Sequence, residues 1–441
     1  MKISRRNFVA SLGGLSLASI ATSVPAIAIA GETDYRALVC INLAGGNDAV
    51  NTIVPTDDNH YNEYKAVRPS IAVSKSTIVE IPQTVLDNHG QPVTLGLHPK
   101  LAPLKPLFED GNATVIINSG ILKEPLSKSD IESQVKPLPP QLFSHNSQTS
   151  EWERGAAGST LQLGWAGRMF DVLESNTSIA PLFSISGNTL LLRSADHSQN
   201  VLKQNGSIKL SGLSNEHMES NYQKISEADS DNPFVTQMRS VMGDAMHVSQ
   251  ALAAQIDKIS DWPEFSSSNL GKQFQIAYKL IVSQSQLGQS RQVFYLKQTG
   301  YDVHDDQLKK HPLLLADLAK NVAAFNNALS HHGLSDAVTS FTTSEFGRRL
   351  ASNGNGTDHG WGGHQFVFGG AVNGNQGIGV WPQLQVDGDD DISKGRLIPT
   401  LASDQVHATL AQWMGVQHPE ELRYVFPHID NFASNNLGFM T

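Results

Sequence analysis

The sequence predicts an α/β protein built around a largely parallel sheet. Apolar runs of strand length recur along the chain, and amphipathic helical segments separate several of them. Three of these runs are followed by a turn and an acidic residue. Turns that follow parallel strands lie at one edge of the sheet, where ligands bind in open α/β folds. The sequence therefore predicts that the three acids meet at that edge.

The first predicted strand covers residues 37–43, a mostly apolar run typical of a strand covered on both faces. Two glycines follow, Gly45 and Gly46, which let the backbone turn tightly before Asp48. Asp48 is thus a candidate metal ligand at the carboxyl end of the strand. An aspartate in this position also commonly caps the next segment, and that alternative stays open.

A second buried strand is predicted over residues 113–118, and a proline-rich loop follows it. His98, which precedes this strand, is predicted to pack or to cap rather than to bind a ligand. The loop ends at Ser144 and His145, before a polar segment. Ser144 is most simply a helix cap. It is also a candidate nucleophile, since the positive end of a helix dipole and nearby N–H groups favour its ionised form.

A further strand is predicted over residues 292–297, with Asp302 and His304 shortly after it. Side chains in an extended segment alternate with period two, so these two are predicted to point to the same side. Carboxylate and imidazole together suit a divalent ion. A solvated loop is the alternative interpretation, because two more aspartates follow directly.

Helices are predicted in the second half of the chain. Residues 269–287 are helical in pattern, and the leucine-rich stripe over 314–329 is typical of core packing. A closing helix is predicted with Ser403 as its N-cap, ending at Gly415. Residues 175–265, rich in Ser, Asn and Gln, predict peripheral strands and helices.

The most informative stretch is residues 338–370. It predicts a strand that stops before Glu345, a glycine-rich loop and a second strand. The loop presents Asp358, His359 and His364. An acid at a strand end, followed by Asp-His on a loop, is a way in which α/β folds present metal ligands. A long surface hairpin with solvated polar residues is the alternative.

The N-terminus predicts a twin-arginine (Tat) signal over residues 1–30. It carries adjacent Arg5 and Arg6, a mildly apolar run, and an A-x-A cleavage site ending at Ala30 or, as a second option, at Ala28. An ordinary secretory signal is the alternative. The protein is thus predicted to be periplasmic or secreted, with the Tat translocase as its partner during export. No later apolar run has the length of a bilayer span.

Charge and cysteine content exclude several classes of protein. The net charge is −10, and removing the three cations Lys2, Arg5 and Arg6 leaves −13 on residues 31–441. A chain this acidic is not expected to bind nucleic acid. Cys40 is the single cysteine, which excludes an internal disulfide and a cysteine-ligated metal cluster.

Seven motifs along the chain resemble the DUF1501 family. In order, they are GGNDAVNT, GLHPKLAPL, LFSHNSQ, GWAGR, YDVHDDQ, TTSEFGR and GTDHGWGGHQFVFGGAV. That family is largely uncharacterised, often Tat-exported, and related to the alkaline phosphatase and sulfatase superfamily. The resemblance covers nearly all of residues 31–441, with 175–265 as a variable, partly helical insertion. It implies an alkaline phosphatase-like α/β/α sandwich, a mostly parallel central sheet, and two metal ions at the carboxyl ends of the strands.

The resemblance also implies roles for individual residues. Asp48 resembles the metal-binding aspartate after the first strand, and Ser144 resembles the nucleophile by its place in the order of motifs. Asp302 and His304 resemble the Asp-His pair of one metal, although the usual spacing of that pair is wider.

The 338–370 stretch departs from the superfamily pattern at one position. Glu345 resembles the acid of an Asp-His pair and His359 the later histidine, but Phe346 stands where a metal-binding histidine is usual. Asp358 or His364 would supply the missing ligand, or the second metal site would be weak or empty. In an alternative alignment Asp358 and His359 themselves form the Asp-His pair.

The resemblance implies an exported, metal-dependent hydrolase of phosphate, sulfate or phosphonate esters, acting on a small or polymeric substrate. Ser144 would be the nucleophile, His145 would hold the substrate or assist proton transfer, and Arg348 would pair with a substrate oxygen or with a structural carboxylate. The expected cofactors are divalent metal ions, zinc first, with Mg, Mn or Ca as alternatives. Phe346 favours a second hypothesis, a non-catalytic binding or assembly protein on the same fold.

Overall fold

The first strand lies inside the central sheet and is buried on both faces. The computed structural model describes residues 34–173, 177–204, 206, 220–221, 224–225 and 231–441. Ala37 and Val39 face one apolar cluster, whereas Leu38 and Cys40 face another. A strand buried on both sides needs a covering layer on each side, which is the predicted three-layer arrangement.

The described strands form a larger and a smaller sheet. They are β1 (Arg36–Ala44), β2 (Ile53–Pro55), β3 (Val79–Asp87), β4 (Pro92–Leu97), β5 (Ala113–Gly120), β6 (Leu182–Ser184), β7 (Asn200–Val201), β8 (Arg291–Thr299), β9 (Val338–Thr343), β10 (Gly363–Phe368), β11 (Val380–Trp381) and β12 (Leu401–Ala402). The larger sheet has the order β12-β5-β10-β9-β1-β8-β6-β7, and the smaller one β11-β3-β4-β2. In the larger sheet the neighbours pair in parallel, except that β10 runs antiparallel to β5 and β9. The predicted α/β class with a mostly parallel central sheet is confirmed.

Helices cover both faces of this sheet. The described α-helices are Ala49–Thr52, Asp58–Val67, Lys105–Glu109, Lys128–Glu132, His145–Arg154, Trp165–Val172, Pro233–Lys258, Asn269–Val282, Gln307–His331, Ser403–Met414 and Pro419–Val425. Short 3-10 helices cover Lys75–Thr77, Pro99–Leu104, Ser335–Ala337 and Ile429–Asn431. One core cluster joins the sheet to Asn269–Val282 and Gln307–His331, and the other joins it to Trp165–Val172 and Ser403–Met414. Both layers therefore bury the apolar stripes of long helices against β1 and its neighbours.

The strands predicted over 37–43, 113–118 and 292–297 are all present, each slightly longer than predicted. The helix predicted with Ser403 as its N-cap begins one residue earlier, because Ala402 occupies the cap position. His98 caps a helix as predicted, since its Nδ1 accepts a hydrogen bond of 3.1 Å from the Lys100 N–H.

The smaller sheet was not predicted, and β3 shows why. Its inward positions alternate as in any half-buried strand, but one of them is Gln83, a polar residue. The Gln83 amide donates to the carbonyl oxygens of Ala113 at 2.7 Å and Gly374 at 2.8 Å, and so joins the two sheets. A buried polar residue is tolerated there because its hydrogen bonds are satisfied, a fact that the residue pattern does not display.

The predicted signal segment, residues 1–30, lies outside the described residues, as does part of the predicted insertion 175–265. Within the insertion the structure describes the helix Pro233–Lys258 and the short strands β6 and β7. No helix among the described residues combines the length and apolar character that a membrane span requires.

His60 links the helix Asp58–Val67 to the end of β3. Its Nδ1 lies 2.7 Å from Asp57 Oδ1, and its Nε2 lies 3.3 Å from Asp87 Oδ2. Burial alone would lower the pKa of His60, but the hydrogen bonds to the two carboxylates outweigh burial and raise the pKa. Charged His60 therefore stabilises the contact between the helix Asp58–Val67 and the end of β3.

The His60 link predicts a pH-dependent contribution to stability. A histidine with a raised pKa in the folded state stabilises fully below its unfolded pKa of about 6.5, and the contribution is lost as the pH rises through the folded pKa. The substitution His60→Gln should cost about 1 kcal/mol at pH 5.5 and less at pH 8.5. Urea unfolding of both proteins at the two pH values measures this. The exposed His89→Gln serves as control, and an equal cost of His60→Gln at both pH values would contradict the prediction.

Candidate metal centre

The carboxyl ends of β1, β8 and β9 lie side by side, and the turn after β1 brings two of the predicted acids together. Gly45 in that turn has φ +122°, and its N–H donates to Glu345 Oε1 at 2.8 Å. A Cβ at Gly45 would lie only 2.2 Å from the Asp302 amide nitrogen. The turn therefore requires glycine, both for its conformation and for its close approach to the segment that carries Asp302.

Three histidine rings converge on Asp302. His359 Nε2 lies 3.1 Å from His145 Nε2, 3.1 Å from His304 Nε2 and 3.1 Å from Asp302 Oδ1. His304 Nε2 is also 3.0 Å from Asp302 Oδ1, and His145 Nε2 is 3.4 Å from Asp302 Oδ2. The structure thus brings together four of the residues predicted to form the site, from three separate parts of the chain.

Carboxylates accept hydrogen bonds from the Nδ1 atoms of two of these rings, on the side away from the cluster. His145 Nδ1 lies 2.8 Å from Glu345 Oε1, and His304 Nδ1 lies 3.1 Å from Asp358 Oδ1. A carboxylate accepts the Nδ1 proton, which leaves the Nε2 lone pair of a neutral ring free to face the cluster. Glu345 and Asp358 were both predicted as metal ligands, and in the structure one oxygen of each lies at hydrogen-bond distance from a histidine Nδ1 and so orients that ring.

A backbone carbonyl holds the third ring. His359 Nδ1 lies 2.8 Å from the Phe143 oxygen, which can only accept a hydrogen bond. His359 Nδ1 therefore carries the proton and Nε2 the lone pair. Phe143 has φ +72°, a left-handed conformation that is rare for a bulky aromatic residue. This contact could not be predicted from the sequence, since neither an aromatic side chain nor its neighbours mark a left-handed residue.

The arrangement fits a bound cation. Lone pairs that face one another at 3.1 Å repel unless a proton or a cation lies between them. Ligand atoms around a tetrahedral ion with bonds of about 2.0–2.1 Å lie about 3.3 Å apart, close to the separations seen here. Ligand atoms of His145, Asp302 and His359 all lie within 4.8 Å of one another, the one such group among the described residues. His304 borders the same site from the side of His359 and Asp302.

The electrostatics of the cluster differ from ring to ring. The Glu345 hydrogen bond raises the pKa of His145, whereas burial lowers the pKa of His359. Burial alone would raise the pKa of Asp302, but hydrogen bonds from Arg348 and His359 outweigh it and lower that pKa. Asp302 is thus an anion at neutral pH beside a neutral His359, a combination suited to a divalent ion.

Arg348 holds Asp302 in place. Its Nη1 donates to Asp302 Oδ1 at 2.9 Å and to the Gly45 oxygen at 3.1 Å, while Nη2 donates to the Thr357 oxygen. The side chain is almost fully buried, so its guanidinium is committed to the protein. Of the two roles considered for Arg348, these contacts favour the structural ion pair over binding of substrate.

Asp48 lies outside the cluster. Both of its oxygens accept from Arg68 Nη1, at 2.8 and 2.6 Å, and Oδ2 also accepts from the Gln307 amide. Burial alone would raise the pKa of Asp48, but Arg68 outweighs it and lowers the pKa. The predicted metal-binding role of Asp48 is therefore replaced by a buried ion pair, whose arginine partner was not singled out in the sequence.

His364 is also absent from the cluster, and its tautomer explains why. The Asn118 N–H donates to His364 Nδ1 at 3.0 Å, so Nδ1 carries the lone pair. Burial lowers the pKa of His364 to about 3, so the ring is neutral and its only proton sits on Nε2. In this tautomer neither nitrogen offers a free lone pair to a metal.

Ser144 occupies the N-cap position of the helix His145–Arg154, but its hydroxyl makes no capping hydrogen bond. The first-turn N–H groups of this helix have no partners within the helix and carry its positive dipole end. Ser144 directly precedes His145 and follows the left-handed Phe143. The capping interpretation is therefore wrong for the hydroxyl, although Ser144 does occupy the cap position.

Phe346 closes one side of the site. Its ring centroid lies 4.7 Å from that of His359 and 4.9 Å from that of His145. The side that carries Asp302 and His304 is open to solvent, since these side chains are 44% and 45% exposed. A ligand therefore has access to the cluster from the side of Asp302 and His304.

Comparison with known proteins places the chain in a family. No curated protein matches it. Among solved structures, Ps i-CgsB in complex with k-i-k-neocarrahexaose is 10% identical, with 89% of this chain and 76% of that chain covered and a TM-score of 0.36. The alkaline phosphatase of the Antarctic bacterium TAB5 is 12% identical (79% and 94% covered, TM-score 0.23), and the 2-O GAG sulfatase BT1596 is 10% identical (89% and 72% covered, TM-score 0.26).

These structures are too distant to transfer residues. The sequence profile described as "Protein of unknown function (DUF1501)" matches residues 35–426, which includes every residue of the cluster. This match confirms the family resemblance seen in the motifs. The chain belongs to the DUF1501 family.

Proposed function

We propose that the protein is a metal-dependent hydrolase of phosphate or sulfate esters with Ser144 as its nucleophile. The observation that carries the proposal is the cluster itself, in which three imidazole Nε2 atoms lie beside one carboxylate. The Nδ1 atom of each ring is already hydrogen-bonded to an oxygen outside the cluster. Such pre-oriented rings are characteristic of metal sites, because the outer partner fixes both the tautomer and the direction of the lone pair.

His145, Asp302 and His359 would hold the ion, with His304 beside them. Three nitrogen donors and a single carboxylate favour zinc over the oxygen-preferring Mg and Ca. A bound ion would supply a Lewis acid that lowers the pKa of a nearby hydroxyl and neutralises charge on an ester oxygen. We infer one ion per chain rather than two, because Asp48, predicted as a metal ligand after the first strand, and His364, considered for the missing ligand of the second site, are engaged elsewhere.

The chain's own residues can carry out the remaining chemistry. Ser144 Oγ would form a bond to the phosphorus or sulfur atom while the bond to the alcohol oxygen breaks, and the serine proton would pass to the leaving alcohol. Water would then hydrolyse the serine ester, which releases phosphate or sulfate and restores the hydroxyl. The free N–H groups at the start of the helix His145–Arg154 would bind an oxygen that gains negative charge during the attack. Phe346 would keep water away from His145 and His359 on one side. Export through the Tat route remains part of the proposal.

A second candidate function is non-catalytic binding or assembly on the same fold. Phe346 favours it, since an apolar ring fills a position at the cluster that a further ligand would otherwise occupy. Under this hypothesis the protein would bind an ion for structure and would hydrolyse no ester. The two hypotheses are separated by the Ser144 variant described below.

The support of His145 by Glu345 predicts an effect on metal affinity. Glu345→Gln removes the negative charge behind the ring, so we expect the affinity for zinc to fall about 10- to 100-fold. Competition with a chromophoric chelator measures this affinity. The exposed Glu63→Gln removes the same charge elsewhere and should change nothing, and an unaltered affinity in Glu345→Gln would count against the assigned role.

The nucleophile hypothesis predicts a loss of turnover without a loss of metal. Ser144→Ala should lower hydrolysis of phosphate and sulfate esters by about 1,000-fold or more, with the metal content of the purified protein unchanged. Elemental analysis and an ester screen measure the two quantities. Ser150→Ala, on the same helix, is the matched control. Equal turnover in Ser144→Ala would refute the nucleophile, and a wild-type protein that binds metal but turns over no ester would favour the second candidate function.

A further inference from the structure

Arg396 contacts both the segment that carries Ser144 and the segment that carries His359. Its Nε donates to the His359 backbone oxygen at 3.1 Å, and its guanidinium carbon lies 4.4 Å from the centroid of the Phe143 ring. Phe143 in turn accepts from His359 Nδ1 through its own carbonyl. Arg396, Phe143 and His359 therefore form a closed set of contacts at the edge of the candidate site.

The charge of Arg396 is not balanced by a direct partner. The neighbouring Arg348 and Arg349 each pair with a carboxylate, Asp302 at 2.9 Å and Asp358 at 2.7 Å. In the part of the chain that the structure describes, no carboxylate forms an ion pair with Arg396. Its Nη1 makes one neutral hydrogen bond, 3.2 Å to the Ser393 hydroxyl, so most of the outer N–H groups stay available.

An arginine held in this way is ready to bind an anion. The Phe143 ring supports the flat face of the guanidinium, and the bond to His359 fixes its Nε edge. The side chain thus loses little conformational freedom when it binds a ligand. The N–H groups left over match the oxygens of a tetrahedral oxyanion such as phosphate or sulfate.

We propose that Arg396 binds the anionic group of the ester substrate beside Ser144. This inference rests on the proposed function, because the anion it would bind is the phosphate or sulfate group that Ser144 attacks. It assigns substrate binding to a residue outside the 338–370 stretch, where Arg348 was the candidate. Arg348 is fully engaged by Asp302, Gly45 and Thr357, whereas Arg396 is half-buried and unpaired.

The test is direct binding of inorganic phosphate and of inorganic sulfate to the zinc-loaded protein, measured by calorimetry. Arg396→Gln should weaken binding of the preferred anion about 10- to 100-fold, as expected for the loss of a charge-assisted hydrogen bond. Arg396→Lys keeps the charge but not the planar fork, and it should recover part of the affinity. Arg423→Gln removes an exposed, distant arginine and should bind as the wild type does. Whichever anion the wild type binds more tightly identifies the ester class.

Metal content and thermal unfolding of each variant separate this inference from the proposed function. If Arg396→Gln keeps its metal and binds the anion within twofold of the wild type, the role of Arg396 is overturned while the hydrolase proposal stands. If the wild type binds metal but neither anion, the role is overturned as well. If Arg396→Gln unfolds, the comparison rests on Arg396→Lys, which should show a measurable loss of affinity and would contradict the proposal by showing none.

Discussion

The mutual repulsion of nitrogen lone pairs is the constraint around which this edge of the sheet is built. The Nε2 atoms of His145 and His359 lie 3.1 Å apart, and their lone pairs repel unless a proton or a cation lies between them. A buried carboxylate, that of Glu345, and the backbone carbonyl of the left-handed residue Phe143 nevertheless hold the two rings in that orientation. The cation that we propose would supply the missing attraction, and proteins hold metal-binding histidines by the same outer contacts.

The rest of the local structure supports this arrangement from the sheet outward. β1 delivers Gly45, whose amide holds Glu345 and whose missing side chain makes room for the backbone of Asp302. Arg348 then fixes the Asp302 carboxylate from the buried side. Beneath these contacts, the Arg68–Asp48 pair joins the turn after β1 to the helix Asp58–Val67. Removing one partner of a buried ion pair strongly destabilises the fold, because the remaining charge is left without water or a partner.

The sequence was informative where local periodicity decides the outcome. The strands of the central sheet follow from apolar runs. The alternation of side chains predicted that Asp302 and His304 point to the same side, and Asp302 Oδ1 lies 3.0 Å from His304 Nε2. Sequence reasoning was weaker where a side chain's role depends on a distant partner. Hydrogen bonds decide whether a carboxylate contacts an ion directly or orients a histidine ligand. The spacing of the residues along the chain is the same in both cases. Glu345 and Asp358 show this, and so does His364, whose tautomer is set by an amide on a neighbouring strand.

The left-handed conformation of Phe143 has a consequence for how the site responds to a ligand. Its carbonyl determines which nitrogen of His359 carries the proton, its ring supports Arg396, and its peptide bond leads directly into Ser144. These three groups therefore cannot shift independently. A molecule that displaces the loop at Ser144 would also displace the carbonyl group that orients His359, and so would change how strongly this ring could hold the proposed ion.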